Sequence, residues 1–151
     1  MDDKDYHILR VLQENGRLSN QELSERVNLS PSPCLRRVRQ LEKSGVIRGY
    51  TALVDQKAFG LPLTVFIRIE MERHAAEAVR VFEARIRDIP EIQDCYLVTG
   101  EADYLLRVVC RDLDAYERFM RETLHAIPGI SSINTSFAFG RVKQSQVLPH
   151  P

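Results

Sequence analysis

The 151 residues contain no tryptophan, only three cysteines and only four histidines. Cys34, Cys95 and Cys110 are odd in number and include no C-x-x-C pair. That excludes a disulfide framework and a zinc site, so the three read as small, reduced core residues. No apolar run approaches the roughly 20 residues of a transmembrane helix. The opening MDDKDYHILR is acidic and helical in pattern, which is not a secretory signal. A cytoplasmic chain with no membrane partner is expected. Charge of one sign is also missing, since 21 Lys and Arg balance 21 Asp and Glu. There is no GxSxG, no phosphate loop, no HExxH and no Gly-rich dinucleotide turn. His7, His74, His125 and His150 are scattered and unpaired by spacing. No catalytic residue, metal site or cofactor is therefore expected. With 44% apolar and 28% charged residues the composition is that of a folded globular chain.

What is present begins with uneven charge. Arg36, Arg37, Arg39, Lys43 and Arg48 stand against Glu42 alone between Cys34 and Arg48. A local excess binds polyanions even in a neutral chain, because salt screens fields beyond about 10 Å. Tyr6, Ile8, Leu9 and Leu12 recur with helical spacing, giving a first helix over Asp3 to Glu14, with Gly16 after it. Ser19 and Glu22 form a capping box, and Leu18 and Leu23 a hydrophobic staple. The second helix then ends near Val27. After the turn Asn28-Leu29-Ser30, Ser30 is a second cap and Pro31 takes the first helical position. Pro33 also lacks an N–H, so Ser30 is expected to bond to the Ser32 amide. Helix three runs from Pro31 to Ser44, with Gly45 as its stop.

Three short helices with a three-residue turn between the last two describe a helix-turn-helix. On a helical wheel, Leu35, Val38 and Leu41 share one side of helix three with Cys34 close by, which makes Cys34 a packing residue. Ser32, Arg36, Arg39, Gln40 and Lys43 lie opposite, with Arg37 at the border. Such side chains read base edges and grip phosphates: Arg to guanine, Gln to adenine, Ser and Lys to bases or backbone. The candidate contacts to double-stranded DNA are Ser30, Ser32, Arg36, Arg37, Arg39, Gln40 and Lys43. A solvated basic face is the plain alternative, and the location on the second helix of the motif favours DNA.

Val46 to Val54 is β-rich and reads as a connecting strand, and Asp55 to Pro62 as a linker. Leu63–Glu72 alternates as a strand. A helical pattern (Ala75, Val79, Phe82, Ile86), Ile89-Pro90-Glu91-Ile92 and a strand through Cys95–Thr99 follow. A second copy holds Tyr104–Cys110, a helix with Tyr116, Phe119, Met120 and Leu124 capped by Asp112, Ile127-Pro128-Gly129-Ile130, and a strand through Ile133–Phe139. Two βαβ copies make a ferredoxin-like βαββαβ fold. The class is therefore α+β: a helix-turn-helix at 1–50, a strand-containing linker at 51–62, and a ferredoxin-like domain at 63–151. The sheet face without helices is apolar enough to need a second subunit, so at least a dimer is expected.

The turn Thr99-Gly100-Glu101-Ala102-Asp103-Tyr104 is the other candidate site. Gly100 lets backbone amides face outward to hold a carboxylate, and Asp103 can hold an ammonium. A tight turn with a capping Asp explains the same residues, and the residues alone favour that reading.

Ser30-Pro31-Ser32-Pro33-Cys34-Leu35-Arg36-Arg37-Val38-Arg39-Gln40-Leu41-Glu42 and Gly45-Val46-Ile47-Arg48-Gly49-Tyr50 resemble the Lrp/AsnC ("feast/famine") bacterial regulators. The resemblance continues through Gly100–Leu106, Ile127-Pro128-Gly129 and Val142-Lys143-Gln144-Ser145. It implies a transcriptional regulator whose amino-acid effector, leucine or similar, binds at Thr99, Gly100, Glu101, Asp103 and Tyr104 between dimers. Thr135 and Ser136 of a neighbouring subunit would close that pocket. It also implies that 63–151 is an amino-acid-sensing and oligomerisation domain and that the chain forms dimers and octameric discs; the missing acid, base and nucleophile speak against an enzyme. The alternative function is a ligand-independent architectural DNA-binding protein.

Overall fold

The computed structural model describes residues 1–72 and 76–151, so His74 and Ala75 lie outside the described residues. The chain divides into two compact units, Met1–Leu53 with Val142–Pro151, and Val54–Arg141. Among the described residues no helix is long and apolar enough to cross a membrane.

The first unit holds α1 (Asp3–Glu14), α2 (Asn20–Arg26) and α3 (Pro31–Lys43). Their apolar stripes meet in a core of Ile8, Val11, Leu23, Val27, Cys34 and Leu41. α2 starts where the capping box puts it: Ser19 Oγ accepts from the Glu22 amide at 3.2 Å, and the Glu22 carboxylate accepts from the Ser19 amide at 2.7 Å. It ends in a Schellman motif built on Asn28, whose φ is +52°. The Leu29 amide reaches the Ser24 carbonyl at 2.9 Å and the Asn28 amide the Glu25 carbonyl at 3.3 Å. These bonds make the tight corner between α2 and α3.

Three expectations need correction here. Ser30 precedes α3 but its side chain makes no capping bond. Pro33 occupies the third helical position, whose amide is the usual partner, and only the Ser30 carbonyl is used, accepting from the Cys34 amide at 3.1 Å. Leu35 does not pack: it is 36% exposed, whereas Cys34 and Leu41 are buried. The core stripe is centred on those two, and Leu35 lies about 100° away, one residue on from Cys34. Residues 46–62 carry no strand, because a strand needs a partner for its backbone groups and this single chain offers none there. Val46, Tyr50, Leu53 and Val54 are exposed instead. The tail packs along α1, where the Gln13 amide donates to the Gln146 carbonyl at 2.8 Å and His150 lies 4.7 Å from the Tyr6 ring.

The second unit contains β1 (Leu63–Met71), α4 (Ala76–Arg87), β2 (Ile92–Leu97), β3 (Tyr104–Cys110), α5 (Leu113–Arg118) and β4 (Ile130–Phe137). The strands form one antiparallel sheet in the order β2-β3-β1-β4, the ferredoxin-like topology. Alternation in β1 does what a half-covered sheet requires: Val65, Ile67, Ile69 and Met71 are buried with Phe82, Ile86, Leu106, Val108, Phe119 and Leu124. Asp112 caps α5 by accepting from the Ala115 amide at 2.7 Å. α5 then widens into a π-helical stretch, Phe119–Leu124, which carries the core side chains Phe119 and Leu124.

The two Ile-Pro-x-Ile elements play matching parts. The Glu91 carbonyl accepts from the Val109 amide at 2.9 Å, and the Gly129 carbonyl from the Glu72 amide at 2.8 Å. Each repeat thus ties its second strand to the other repeat. Cys34 and Cys110 are buried as expected, and burial pushes both thiols up from their ordinary value. Cys95 is exposed, not a core residue, because β2 is an edge strand.

Candidate nucleic-acid interface and ligand loop

α3 is fixed in its unit by Cys34 and Leu41 and by its link to α2, where the Asn20 side-chain amide donates to the Pro31 carbonyl at 2.9 Å. Its opposite side is solvent-facing. Ser32, Arg36, Arg39, Gln40 and Lys43 are all exposed there, and Ser30 lies exposed at the leading end. Among the described residues Arg36, Arg39 and Lys43 make no ion pair, whereas Arg37 does. Its guanidinium lies 2.9 Å from Asp2 and 2.8 Å from Asp5, both at the start of α1. Six of the seven expected contacts therefore share an open surface, and Arg37 is turned toward acidic neighbours.

The wheel missed one member of this face. Leu35 is exposed at the edge of the basic stripe and adds an apolar side chain to it. Its signal in the sequence was the angle separating it from Cys34 and Leu41. The proline pattern leaves the Ser30 hydroxyl unspent on a cap, and among the described residues neither Ser30 nor Ser32 makes a side-chain hydrogen bond.

The loop of the second unit has Gly100 at φ +118°, with open space where a Cβ would stand. Thr99, Gly100, Glu101 and Asp103 are exposed, while Ala102 and Tyr104 are buried. Asp103 is held three ways. Its amide donates to the Ile69 carbonyl at 2.9 Å, its carbonyl accepts from the Val98 amide at 2.9 Å, and Oδ2 accepts from the Met71 amide at 2.7 Å. The last bond falls where the β1–β4 register shifts, so the carboxylate closes an irregular strand end and keeps Oδ1 for another partner. Tyr104 packs against Phe82 and donates its hydroxyl to Glu83 at 2.7 Å. Burial, then the Glu83 carboxylate, push its phenol well above the ordinary value.

Thr135 and Ser136 are not brought to this loop within one chain, since β1 separates β4 from β3. They also point to opposite faces of the sheet, pairing with Ile67 and Phe66 respectively. The Thr135 hydroxyl already bonds the Tyr116 hydroxyl at 2.7 Å. Two shallow clefts lie elsewhere. One, of about 290 Å³, is lined by residues including His125, Ile130 and Ser132, and the other, of about 260 Å³, by Asp5, Arg37, Gln40 and neighbours. Among the described residues no group of His, Cys, Asp and Glu is arranged to hold a metal ion.

Comparison with known proteins places both units. Residues 64–148 match the family described as the Lrp/AsnC ligand binding domain, and residues 1–48 match the winged helix-turn-helix DNA-binding family. The leucine-responsive regulatory protein of Salmonella typhimurium is 45% identical over 148 residues, 98% of this chain and 90% of that protein. Its Escherichia coli K12 counterpart is 44% identical over the same shares. A transcriptional regulator from Neisseria meningitidis, solved with L-methionine, superposes with a TM-score of 0.94 at 46% identity, covering 99% of this chain and 96% of that one. An AsnC family regulator from Agrobacterium tumefaciens gives a TM-score of 0.94 at 37% identity, with 99% and 97% coverage.

Proposed function

Because the chain belongs to the Lrp/AsnC family of DNA-binding transcriptional regulators, which are not enzymes, we propose that α3 reads an operator and that an amino acid at the 99–104 loop controls it. The observation that carries the DNA part is the open α3 face, where Arg36, Arg39 and Lys43, without an ion pair among the described residues, share one exposed side of the helix with Gln40, Ser30, Ser32 and Leu35. Arg36 and Gln40 are suited to base edges, and Arg39, Lys43, Ser30 and Ser32 to bases or phosphates.

A dimer presents two such helices to successive major grooves, about 34 Å apart on one face of the duplex. Pairing through the helix-free side of the sheet and the extended 46–54 segment gives the exposed apolar residues there a partner. Further assembly into an octamer would bend or wrap DNA. The effector is an apolar amino acid, leucine or methionine, in keeping with relatives named leucine-responsive and one solved with L-methionine. Outward amides beside Gly100 suit its carboxylate, and the spare Asp103 oxygen suits its ammonium. Thr135 and Ser136 come from a neighbouring subunit, because the chain's own β4 is too far away. A ligand bound between subunits acts through its differential affinity for two assemblies. A protein with this work is at home in the bacterial cytoplasm.

A second reading, an architectural DNA-binding protein without effector, is favoured by one observation: one of the two Asp103 carboxylate oxygens is already committed to the Met71 amide. Calorimetric titration with L-leucine and L-methionine separates the two. Saturable binding that Gly100→Val abolishes supports the effector site, and no heat with any of the twenty amino acids supports the architectural reading.

A further inference from the structure

We propose that Arg37 is a positioning residue that locks α3 to the start of α1, not a DNA contact. The inference rests on the DNA-binding role of α3 and assigns a different task to one of its cations. Arg37 Nη1 lies 3.0 Å from Asp2 Oδ1, 2.9 Å from Asp2 Oδ2 and 2.8 Å from Asp5 Oδ1. The same two carboxylates cap α1. Asp2 Oδ1 accepts from the Asp5 amide at 3.0 Å, and Asp5 Oδ2 accepts from the Asp2 amide at 3.0 Å. One guanidinium therefore joins a completed capping box 32 residues away in sequence. The Asp5 and Arg37 side chains are only 15% and 28% exposed, so the pair is shielded compared with a surface ion pair.

Electrostatics separates Arg37 from its neighbours. The three groups together carry one net negative charge, so a phosphate approaching Arg37 meets repulsion. The two carboxylates suit the positive end of the α1 dipole, and the Asp5 amide and the Arg37 guanidinium hold the Asp2 carboxyl below its usual range. An acidic edge beside a basic stripe also tells α3 which way to face the duplex, because only the Arg36, Arg39 and Lys43 side is attractive. Arg37 and Gln40 border the cleft next to Asp5, so loss of the lock leaves room for α3 to roll toward it.

The test uses full-length protein and the tightest 25-bp duplex recovered from a randomised pool, with affinity followed by anisotropy over a range of salt. Arg37→Ala and Asp5→Asn should each weaken binding about tenfold with the wild-type salt slope, as expected for losing one charge-assisted bond. Arg36→Ala should lower the slope by about 0.9, as expected for one lost phosphate contact. The double variant Asp5→Asn with Arg37→Ala should bind little worse than either single variant, because both remove the same contact. Tighter binding by Asp5→Asn, a reduced slope in Arg37→Ala, or a double variant whose losses add overturns the assignment. Wild-type protein that selects no duplex overturns the DNA reading itself, and this inference with it.

Discussion

Gly129→Ala should be among the most damaging single-atom changes in the second unit. The backbone there has φ +84°, and an added Cβ would stand 2.3 Å from the Ala78 Cβ and 3.5 Å from the Met71 Cε. The left-handed conformation costs a non-glycine residue about 1–2 kcal/mol. Overpacking against α4 adds about 1–3 kcal/mol, because Ala78 has no flexible end to swing aside. The total is roughly 2–5 kcal/mol. In a unit of this size each kcal/mol moves Tm by about 4–8 °C, so calorimetry should show a drop of at least about 8 °C. Gly129→Ala combined with Ala78→Gly separates the two terms. The double variant removes the clash and keeps the backbone strain, so it should lose about 1–3 kcal/mol less than the sum of the singles. A Gly129→Ala protein with unchanged Tm, or strictly additive singles, would refute the reasoning. The first Ile-Pro-x-Ile element has Glu91 at the equivalent place, which fits the absence of positive φ there.

Other outcomes follow from the same geometry. Asp112→Ala should cost about 1 kcal/mol by removing a working cap, whereas Ser30→Ala should change stability by less than about 0.5 kcal/mol and show its loss in DNA affinity. On the acid side, Asp2, Glu22 and Asp112 are held below their ordinary carboxylate values, chiefly by backbone amides. The unfolded chain takes up these protons first, so their stabilisation is complete above about pH 4.5 and fades as pH falls further; melts from pH 7 to 3 check this. On the alkaline side, the raised Tyr104 phenol stays neutral in the fold while the unfolded chain ionises near 10. Stability should therefore fall as pH rises past about 10, and Tyr104→Phe should flatten that limb.

Much of this molecule is legible in its sequence where one local signal suffices. The Ser19–Glu22 box and the alternation of Leu63–Met71 place α2 and β1 directly, and the Ile-Pro-x-Ile pair exposes the repeat behind the sheet. What escaped depends on distant partners. Nothing near Arg37 announces Asp2 and Asp5, and wheel geometry alone places it on the border of the DNA face. Asn28 forms a left-handed corner usually given to glycine, so the Schellman motif reads only as a turn. Val46–Val54 has strand composition but finds no ladder in one chain. The loop is half legible: Gly100 and Asp103 mark it, but the bond from the Met71 amide to Asp103 is a tertiary contact that no spacing encodes. Thr135 and Ser136 came only through family resemblance, and their opposite orientations on β4 restrict which of them one pocket can use.

The most direct test of the regulatory account is mass photometry combined with anisotropy on the selected duplex while L-leucine or L-methionine is titrated. The account predicts that one of them shifts the distribution of assemblies and the DNA affinity with a common midpoint, and that Gly100→Val removes both responses while DNA binding persists. Tight DNA binding whose affinity and assembly respond to none of the twenty amino acids would contradict it.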